Sequence, residues 1–265
     1  MKPRDAISEA VRSAARHGEP ALVAFLTAGY PSREKFREHL HAVAAGADVV
    51  EIGVPFTDPM ADGVTIQRSS RAALAQGVSL RWILSELEAM PALETPLLLM
   101  SYLNPLLAYG LERLAEAAAR ARVGGFIVPD LPYDESSDLR SALDRPGIAM
   151  VQMVTPVTKA ARMKQLCSSS QGFVYAVTMT GTTGKHVVVP TEVMDYLDRV
   201  RALATVPVCA GFGIRSREQV LRLRGHVDGV VVGSALVEVL ERGENPSAWL
   251  DSLRGVEAAA AREMG

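Results

Sequence analysis

Two carboxylates in the first quarter of the chain have the types and spacing of a general acid–base pair. Glu51 lies within the apolar run Asp48–Ile52, and Asp62 follows eleven residues later in a Pro-, Asp- and Gly-rich stretch. If Val50 packs outward from a strand, alternation turns Glu51 inward, where burial raises the pKa of its carboxyl toward neutrality. One buried carboxylate and one on a loop can divide acid and base roles between them.

Each carboxylate also has a structural explanation. Glu51 could be the partner of a buried Lys or Arg, but none of the apolar runs that we interpret as strands contains one. Asp58 and Asp62 could be turn residues, since they precede Pro59 and Gly63. Spacing alone therefore favours a chemical role for Glu51 and leaves Asp62 open.

Two glycine-containing segments near the end of the chain could bind an anion. Gly211–Ile214 and Gly233–Ala235 each follow an apolar run, and the second opens a helical pattern. Glycine lets the backbone approach a ligand, and free N–H groups at a helix start favour a phosphate. The alternative is that these glycines only end strands. A third segment, Gly181–Gly184, could close over the same end, so the sequence predicts a small phosphorylated substrate.

Two other patterns in the sequence do not predict binding sites. Gly181–His186 resembles a phosphate-binding P-loop, but its spacing is short and His186 stands where Ser or Thr is needed. His39 and His41 lie two residues apart on a predicted helix and point in different directions, so we expect no metal site.

The elements that would position these residues alternate along the chain. Eight short apolar runs without polar alternation are typical of parallel strands buried on both faces. They are Leu22–Leu26, Asp48–Ile52, Pro96–Met100, Gly125–Val128, Ala149–Val154, Phe173–Val177, Pro207–Ala210 and Gly229–Val232. Helical patterns lie between and after them: Ser32–Ala45 (with Ser32 as N-cap), Ile66–Met90, Leu111–Ala121, Asp134–Asp144, Lys159–Ser168, Thr191–Leu203, Ser216–Arg224, Ala235–Arg242 and Pro246–Glu263.

Eight such units in about 250 residues predict an α/β fold, a single (β/α)8 TIM barrel over residues 1–265 with an extra N-terminal helix. A doubly wound sheet is the alternative, but the glycine fingerprint of its dinucleotide-binding form is absent. In a barrel the two longest strand-to-helix connections, Pro55–Thr65 and Thr178–Pro190, lie at the C-terminal face, where loops of that length are usually functional.

Composition excludes several classes of partner. The 265 residues carry 28 Lys and Arg against 30 Asp and Glu, a net charge of −2, which gives no basis for binding nucleic acid through its phosphates. The two cysteines, Cys167 and Cys209, are interpreted as free thiols in a reducing cytoplasm. The most apolar uncharged run, Pro96–Leu111, is interrupted by polar residues and a proline, so we expect no membrane span.

The motifs together resemble the tryptophan synthase alpha subunit family. The resemblance is carried first by Glu51–Gly63, which reads EIGVPFTDPMADG, followed by Thr65–Gln67. Further matching motifs occur in the family's order over about residues 20 to 240: Phe25–Gly29, Tyr102–Pro105, Val128–Pro132, Gly172–Tyr175, Gly181–Gly184, Gly211–Ile214 and Gly233–Ala235.

The resemblance implies retro-aldol cleavage of indole-3-glycerol phosphate to indole and glyceraldehyde 3-phosphate. In it Glu51 matches the acid–base that protonates the indole ring carbon, and Asp62 matches the aspartate that stabilises charge at the indole nitrogen. The matching substrate positions are Phe25, Met100 and Ile127 for the indole, Tyr175 for the glycerol, and Gly184, Phe212, Gly213, Gly233 and Ser234 for the phosphate.

The resemblance also implies a partner, a pyridoxal-phosphate-dependent beta subunit in an alpha2-beta2 assembly that receives the indole. The matching contact positions are Pro55, Asp58, Pro59, Asn104, Pro105 and Pro132. The chain itself would bind no cofactor. Departures at Met179, Thr182 and Val64 leave a stand-alone indole-producing lyase as one alternative, and a non-catalytic barrel that only activates a beta subunit as another.

Overall fold

The computed structural model describes residues 1–178, 190–211 and 213–254, and in it eight parallel strands close into a barrel. The strands are β1 (Ala21–Thr27), β2 (Val49–Gly53), β3 (Leu97–Met100), β4 (Val123–Ile127), β5 (Ala149–Val154), β6 (Val174–Val177), β7 (Val208–Gly211) and β8 (Gly229–Val232). They pair in chain order, and β8 closes on β1. The predicted barrel is therefore confirmed, with every strand end within two residues of its predicted position.

Helices surround the barrel. They are α1 (Pro3–Arg16), α2 (Phe36–Gly46), α3 (Val64–Ala75), α4 (Leu80–Ala89), α5 (Leu103–Tyr109), α6 (Leu111–Arg120), α7 (Ser137–Asp144), α8 (Ala160–Ser169), α9 (Thr191–Leu203), α10 (Arg217–Leu223), α11 (Ser234–Glu241) and α12 (Pro246–Arg254). A short 3-10 turn, Tyr133–Glu135, precedes α7. Among the helices that the structure describes, none has the length and apolar content needed to cross a bilayer.

Alternation along the strands separates two apolar layers. Val49 belongs to the cluster inside the barrel, together with Val23 and Leu98. Val50 and Ile52 belong to the larger cluster between the strands and the helices. This is the arrangement that turns the side chain between them, Glu51, toward the barrel interior.

The predicted N-terminal helix closes the end of the barrel where the strands begin. Ile7 and Val11 of α1 are fully buried in the interior cluster. Ile7 lies against Gly124 and Gly172, whose missing side chains let the helix approach the strand starts. The Ser8 hydroxyl donates a hydrogen bond of 2.6 Å to the Gly172 carbonyl. One end of the barrel is thus sealed, and the opposite end holds the loops that follow the strands.

The prediction of one helix over Ile66–Met90 is wrong, because the structure contains α3 and α4 there. The break occurs at Gly77, whose φ of +76° interrupts the helical backbone. Ser79 then caps α4 by accepting a hydrogen bond from the Trp82 amide at 3.2 Å.

Other helix predictions also differ from the structure. The helix predicted from Ser32 begins at Phe36, and the Ser32 hydroxyl donates to Glu34 instead of capping it. Helix α5 was not among the predicted helices, and it contains a proline, Pro105. Pro105 is only the third residue of α5, where a backbone N–H has no helical acceptor in any case, so the helix tolerates it.

Candidate active site

Glu51 is the carboxylate at the centre of the barrel. Strand β2 places it opposite Phe25 of β1 and Leu98 of β3. Its side chain is 1% exposed, and among the described residues no hydrogen-bond partner reaches Oε2. Burial, followed by the charge of Asp62, raises the pKa of the Glu51 carboxyl to about 8. At neutral pH this group is therefore mostly protonated and able to donate a proton.

Asp62 lies on the loop between β2 and α3, close enough to Glu51 for their charges to interact. The residue is half-buried, and burial raises the pKa of its carboxyl to about 6. The Gln67 side-chain amide donates to the Asp62 carbonyl at 2.8 Å, which ties the loop to the first turn of α3. At neutral pH the two carboxyls therefore differ in protonation, Glu51 neutral and Asp62 charged.

Tyr102 is a residue of this site to which the sequence analysis gave no role. Its hydroxyl accepts a hydrogen bond from the Ala61 amide at 2.9 Å and is hydrogen-bonded to Asp62, which lowers the pKa of that carboxyl against the effect of burial. Its ring stacks on Phe56 with centroids 5.0 Å apart. Burial and the Asp62 charge raise the pKa of Tyr102 to about 12, so its hydroxyl keeps its proton.

Two glycines make room for aromatic rings beside Glu51. A Cβ on Gly53 would lie 2.5 Å from the Phe25 ring, so only glycine lets that ring cross the end of β2. In the same way a Cβ on Gly211 would lie 2.6 Å from the Tyr175 hydroxyl. Burial, followed by the Glu51 charge, raises the pKa of Tyr175 well above its usual value, which keeps it neutral.

The predicted indole positions line the ends of neighbouring strands. Ile127, at the end of β4, is fully buried inside the barrel, and Met100, at the end of β3, packs against both apolar clusters. The strand register places Phe25 opposite Glu51 and Met100 opposite Ile127, and we call these three apolar side chains the apolar wall. A flat apolar ring suits such a wall.

The predicted phosphate positions lie after β7 and β8. Gly213 is exposed two residues after β7, and Gly233 and Ser234 are half-buried at the start of α11. Among the residues that the structure describes, no side chain caps the N-terminus of α11, so the amides of its first turn are available to an anion. The two other predicted positions, Gly184 and Phe212, lie outside the described residues, as do Met179 and Thr182.

The positions predicted to contact a partner are placed at the same end of the barrel but differ in exposure. Asp58, Asn104 and Pro132 are exposed, Pro59 and Pro105 are half-buried, and Pro55 is buried. Large apolar side chains are exposed nearby: Met60 is 86% exposed, Val64 is 79% and Leu107 is 52%. Of these residues Pro55 alone offers no surface to a partner.

The site therefore combines a neutral acid, a charged carboxylate, an apolar wall and an uncapped helix start. Among the described residues, no group of three or more His, Cys, Asp or Glu side chains could hold a metal ion. The arrangement can move a proton to and from an apolar substrate while the charged carboxylate stabilises positive charge on it.

Comparison with known proteins gives consistent results. The family model described as tryptophan synthase alpha chain matches residues 11–262. The tryptophan synthase alpha chain of Nitratidesulfovibrio vulgaris (strain DP4) is 45% identical over 242 residues, which cover 91% of this chain and 94% of that one. The alpha chain of Bacillus mycoides (strain KBAB4) is 43% identical over 235 residues, covering 88% and 91%.

Solved structures resemble the fold over almost its whole length. A structure of Mycobacterium tuberculosis tryptophan synthase superposes with a TM-score of 0.86 at 33% identity, covering 94% of this chain and 97% of that one. Tryptophan synthase subunit alpha from Legionella pneumophila str. Paris superposes with a TM-score of 0.84 at 32% identity, covering 97% and 98%.

Proposed function

This chain belongs to the tryptophan synthase alpha chain family, and from that premise we propose that it cleaves indole-3-glycerol phosphate in tryptophan biosynthesis. The products are indole and glyceraldehyde 3-phosphate, and the reaction is a retro-aldol carbon–carbon cleavage. Glu51 is the general acid and base, and Asp62 is the carboxylate that faces the indole nitrogen.

The proposed cleavage needs two proton transfers and no oxidant or other co-reactant. Glu51 protonates the indole ring carbon that bears the glycerol chain, which places positive charge on the ring nitrogen, where ionised Asp62 stabilises it. The bond to the glycerol chain then breaks and its electrons restore the indole ring. The adjacent glycerol hydroxyl becomes the aldehyde carbonyl and returns its proton to Glu51, whose carboxyl is thereby regenerated.

The observation that carries this proposal is the state of Glu51. A carboxyl that is 1% exposed, with a pKa of about 8 and an oxygen without a partner among the described residues, is costly to bury, and such groups cluster at functional sites. Its position between an apolar wall and an uncapped helix start suits a substrate with an aromatic ring at one end and a phosphate at the other.

The experiment is indole release from indole-3-glycerol phosphate by the purified chain. Glu51→Gln retains the shape of the side chain and removes its acidic proton, so we expect kcat to fall by about 10²–10⁴-fold. Glu88→Gln is the matched control, because Glu88 is paired with Arg120 on the outer helices. Full activity in Glu51→Gln would exclude the assignment, and no activity in the unaltered chain would exclude the function.

We infer further that the family's beta-subunit partner binds at the open end of the barrel, in an alpha2-beta2 assembly. The support is the group of exposed apolar side chains, Met60, Val64 and Leu107, beside the predicted contact positions. Sedimentation of the chain mixed with a beta subunit measures the stoichiometry directly, and a mass other than two of each would contradict it.

A surface substitution tests where the partner binds. Leu107→Ser on α5 should raise the concentration of beta subunit needed for half-maximal stimulation of indole release by roughly tenfold. Leu221→Ser on α10, which removes a leucine 38% exposed, is the control and should leave that concentration unchanged. Equal effects of the two substitutions would show that the partner does not bind at α5.

The proposed chemistry uses the two carboxylates and no cofactor on this chain; pyridoxal phosphate belongs to the beta subunit. Extensively dialysed chain should therefore cleave the substrate without added cofactor, and a requirement for one would contradict this. The buried free thiols Cys167 and Cys209 support a cytoplasmic location for the reaction.

A further inference from the structure

Glu238, in the second turn of α11, is bonded to two other segments of the open end. Arg215, in the loop after β7, donates from Nη1 to Glu238 Oε2 at 2.7 Å and from Nη2 to Oε1 at 3.0 Å. The Thr65 hydroxyl, in the first turn of α3, donates to Oε1 at 3.3 Å. Arg215 lowers the pKa of the Glu238 carboxyl, so Glu238 is charged at neutral pH.

A second contact runs parallel to the first. Arg68 of α3 forms an ion pair with Glu241 of α11. Since Thr65 and Arg68 are three residues apart, as are Glu238 and Glu241, each pair lies on one face of its helix. Two adjacent contacts therefore join the start of α3 to the side of α11.

The joined helices begin at the two functional ends of the site. Helix α3 starts two residues after Asp62, and Gln67 in its first turn holds the Asp62 carbonyl. Helix α11 starts at Ser234 of the predicted phosphate site, and Arg215 lies two residues after Gly213 of the same site. Glu238 is thus bonded to both parts of the phosphate end and to the segment that carries Asp62.

Stability does not explain this arrangement. The side chain of Arg215 is 56% exposed and that of Glu238 is 26% exposed, and solvent weakens what ion pairs at such positions contribute to folding. The geometry does fix the relative positions of three segments that must come together around one substrate.

We propose that Glu238 is a positioning residue that couples occupancy of the phosphate site to the placement of Asp62. This inference rests on the proposed function. A phosphate held by the start of α11 and the Gly213 loop fixes those two segments relative to each other. Through Thr65, and through the parallel contact at Glu241, the same event fixes the start of α3 and with it the Asp62 carboxylate. Such coupling is reciprocal and typically amounts to about 5–150-fold in affinity.

The experiment divides the substrate into two pieces. Indole release is measured from indole-3-glycerol, which lacks the phosphate, without and with saturating inorganic phosphate. Because bound phosphate would fix the segment that carries Asp62, it should accelerate cleavage by the unaltered chain by about tenfold or more, a factor comparable to typical couplings in affinity. In Glu238→Gln, which cannot form the charged pair with Arg215, the acceleration at saturating phosphate should fall at least about fivefold, while the rate without phosphate stays within about twofold.

Further variants separate positioning from structure. Thr65→Val should lose acceleration to a similar extent, and the double variant should lose little more than either single one, because both act through one contact. Glu88→Gln, which breaks the Arg120 pair between α4 and α6, should retain full acceleration. Thermal unfolding should be unchanged to within a few degrees in all of them.

The outcomes are distinguishable. Acceleration retained in Glu238→Gln, or lost only because phosphate binds more weakly and recovered at higher phosphate, would overturn the coupling. Absence of acceleration in the unaltered chain, with indole-3-glycerol phosphate still cleaved, would overturn it too and leave the proposed function intact. Only failure to cleave indole-3-glycerol phosphate itself would remove the function.

Discussion

At the scale of single residues, the site depends on two carboxyls held in opposite protonation states. Burial raises the pKa of Glu51 to about 8 and that of Asp62 to about 6. The proposed reaction needs Glu51 protonated, which requires a pH below its pKa. It also needs Asp62 ionised, which requires a pH above its pKa.

We therefore expect a bell-shaped dependence of kcat/KM on pH. Activity should rise with pH through about 6, as Asp62 loses its proton, and fall through about 8, as Glu51 loses its own. Initial rates of indole release between pH 5 and pH 9 measure both limbs. Because the two carboxyls interact, the apparent pKa values of the limbs describe the pair together. A rate that keeps increasing above pH 8 would contradict the role of protonated Glu51.

Tyr102→Phe should move only the acidic limb of this profile. The Tyr102 hydroxyl is hydrogen-bonded to Asp62 and favours its charged form, so its removal should raise the apparent pKa of the acidic limb by about one unit. The basic limb should stay in place. Tyr109→Phe, which removes a hydroxyl from α5, is the control and should shift neither limb. Identical profiles for both variants would exclude an effect of Tyr102 on the pKa of Asp62.

At the scale of elements, the ends of the strands shape the pocket through missing side chains. In Gly53→Ala the new methyl would meet the Phe25 ring, and the ring must turn into the space that the substrate needs. We expect a loss of about 1–3 kcal/mol in stability and a several-fold higher KM. Gly63→Ala is the matched control, since nothing lies within 4 Å of its added Cβ. Chemical unfolding and steady-state kinetics compare the two, and equal KM values would contradict this account.

The strands were predictable because burial on both faces leaves a local signal, a short apolar run such as Ala149–Val154. The helices were less predictable than the strands. Periodicity continues across Gly77, although its positive φ and the Ser79 cap separate α3 from α4, and helix α5 was missed. Local pattern thus locates the buried strands more reliably than it divides and counts the helices between them.

The site divides in the same way. Alternation in β2 was enough to turn Glu51 inward, because strand geometry has a period of two. Tyr102 and Glu238 could not be found from pattern alone, because their partners Ala61 and Thr65 lie 41 and 173 residues away in the sequence. Only the closed barrel brings such residues together, so their spacing along the chain does not predict the contact between them.

At the scale of the whole molecule, the two ends of the barrel have separate tasks. Helix α1 seals the end where the strands begin, with Ile7 fully buried inside, and the chemical groups lie on the loops at the other end. The two ends need different surroundings. Helix α1 covers apolar interior side chains at the strand starts, which would otherwise be exposed to water, whereas the substrate must enter at the opposite end. Stability and activity should therefore respond separately to substitution at the two ends.

Ile7→Ala tests this separation. Removing the buried side chain leaves a cavity at the sealed end and should cost about 2–5 kcal/mol in the free energy of unfolding, whereas Ile7→Val should cost about 0.5–1.5 kcal/mol. Both variants should keep the kcat of the unaltered chain at temperatures where they remain folded, because Ile7 lies at the opposite end of the barrel from the loops that carry the site. Denaturant unfolding and indole release on the same samples measure the two quantities. A kcat that fell in proportion to stability across the series would contradict this separation. It would show that strain at the sealed end reaches Glu51 through the strands, so that the barrel is not a rigid support for that residue.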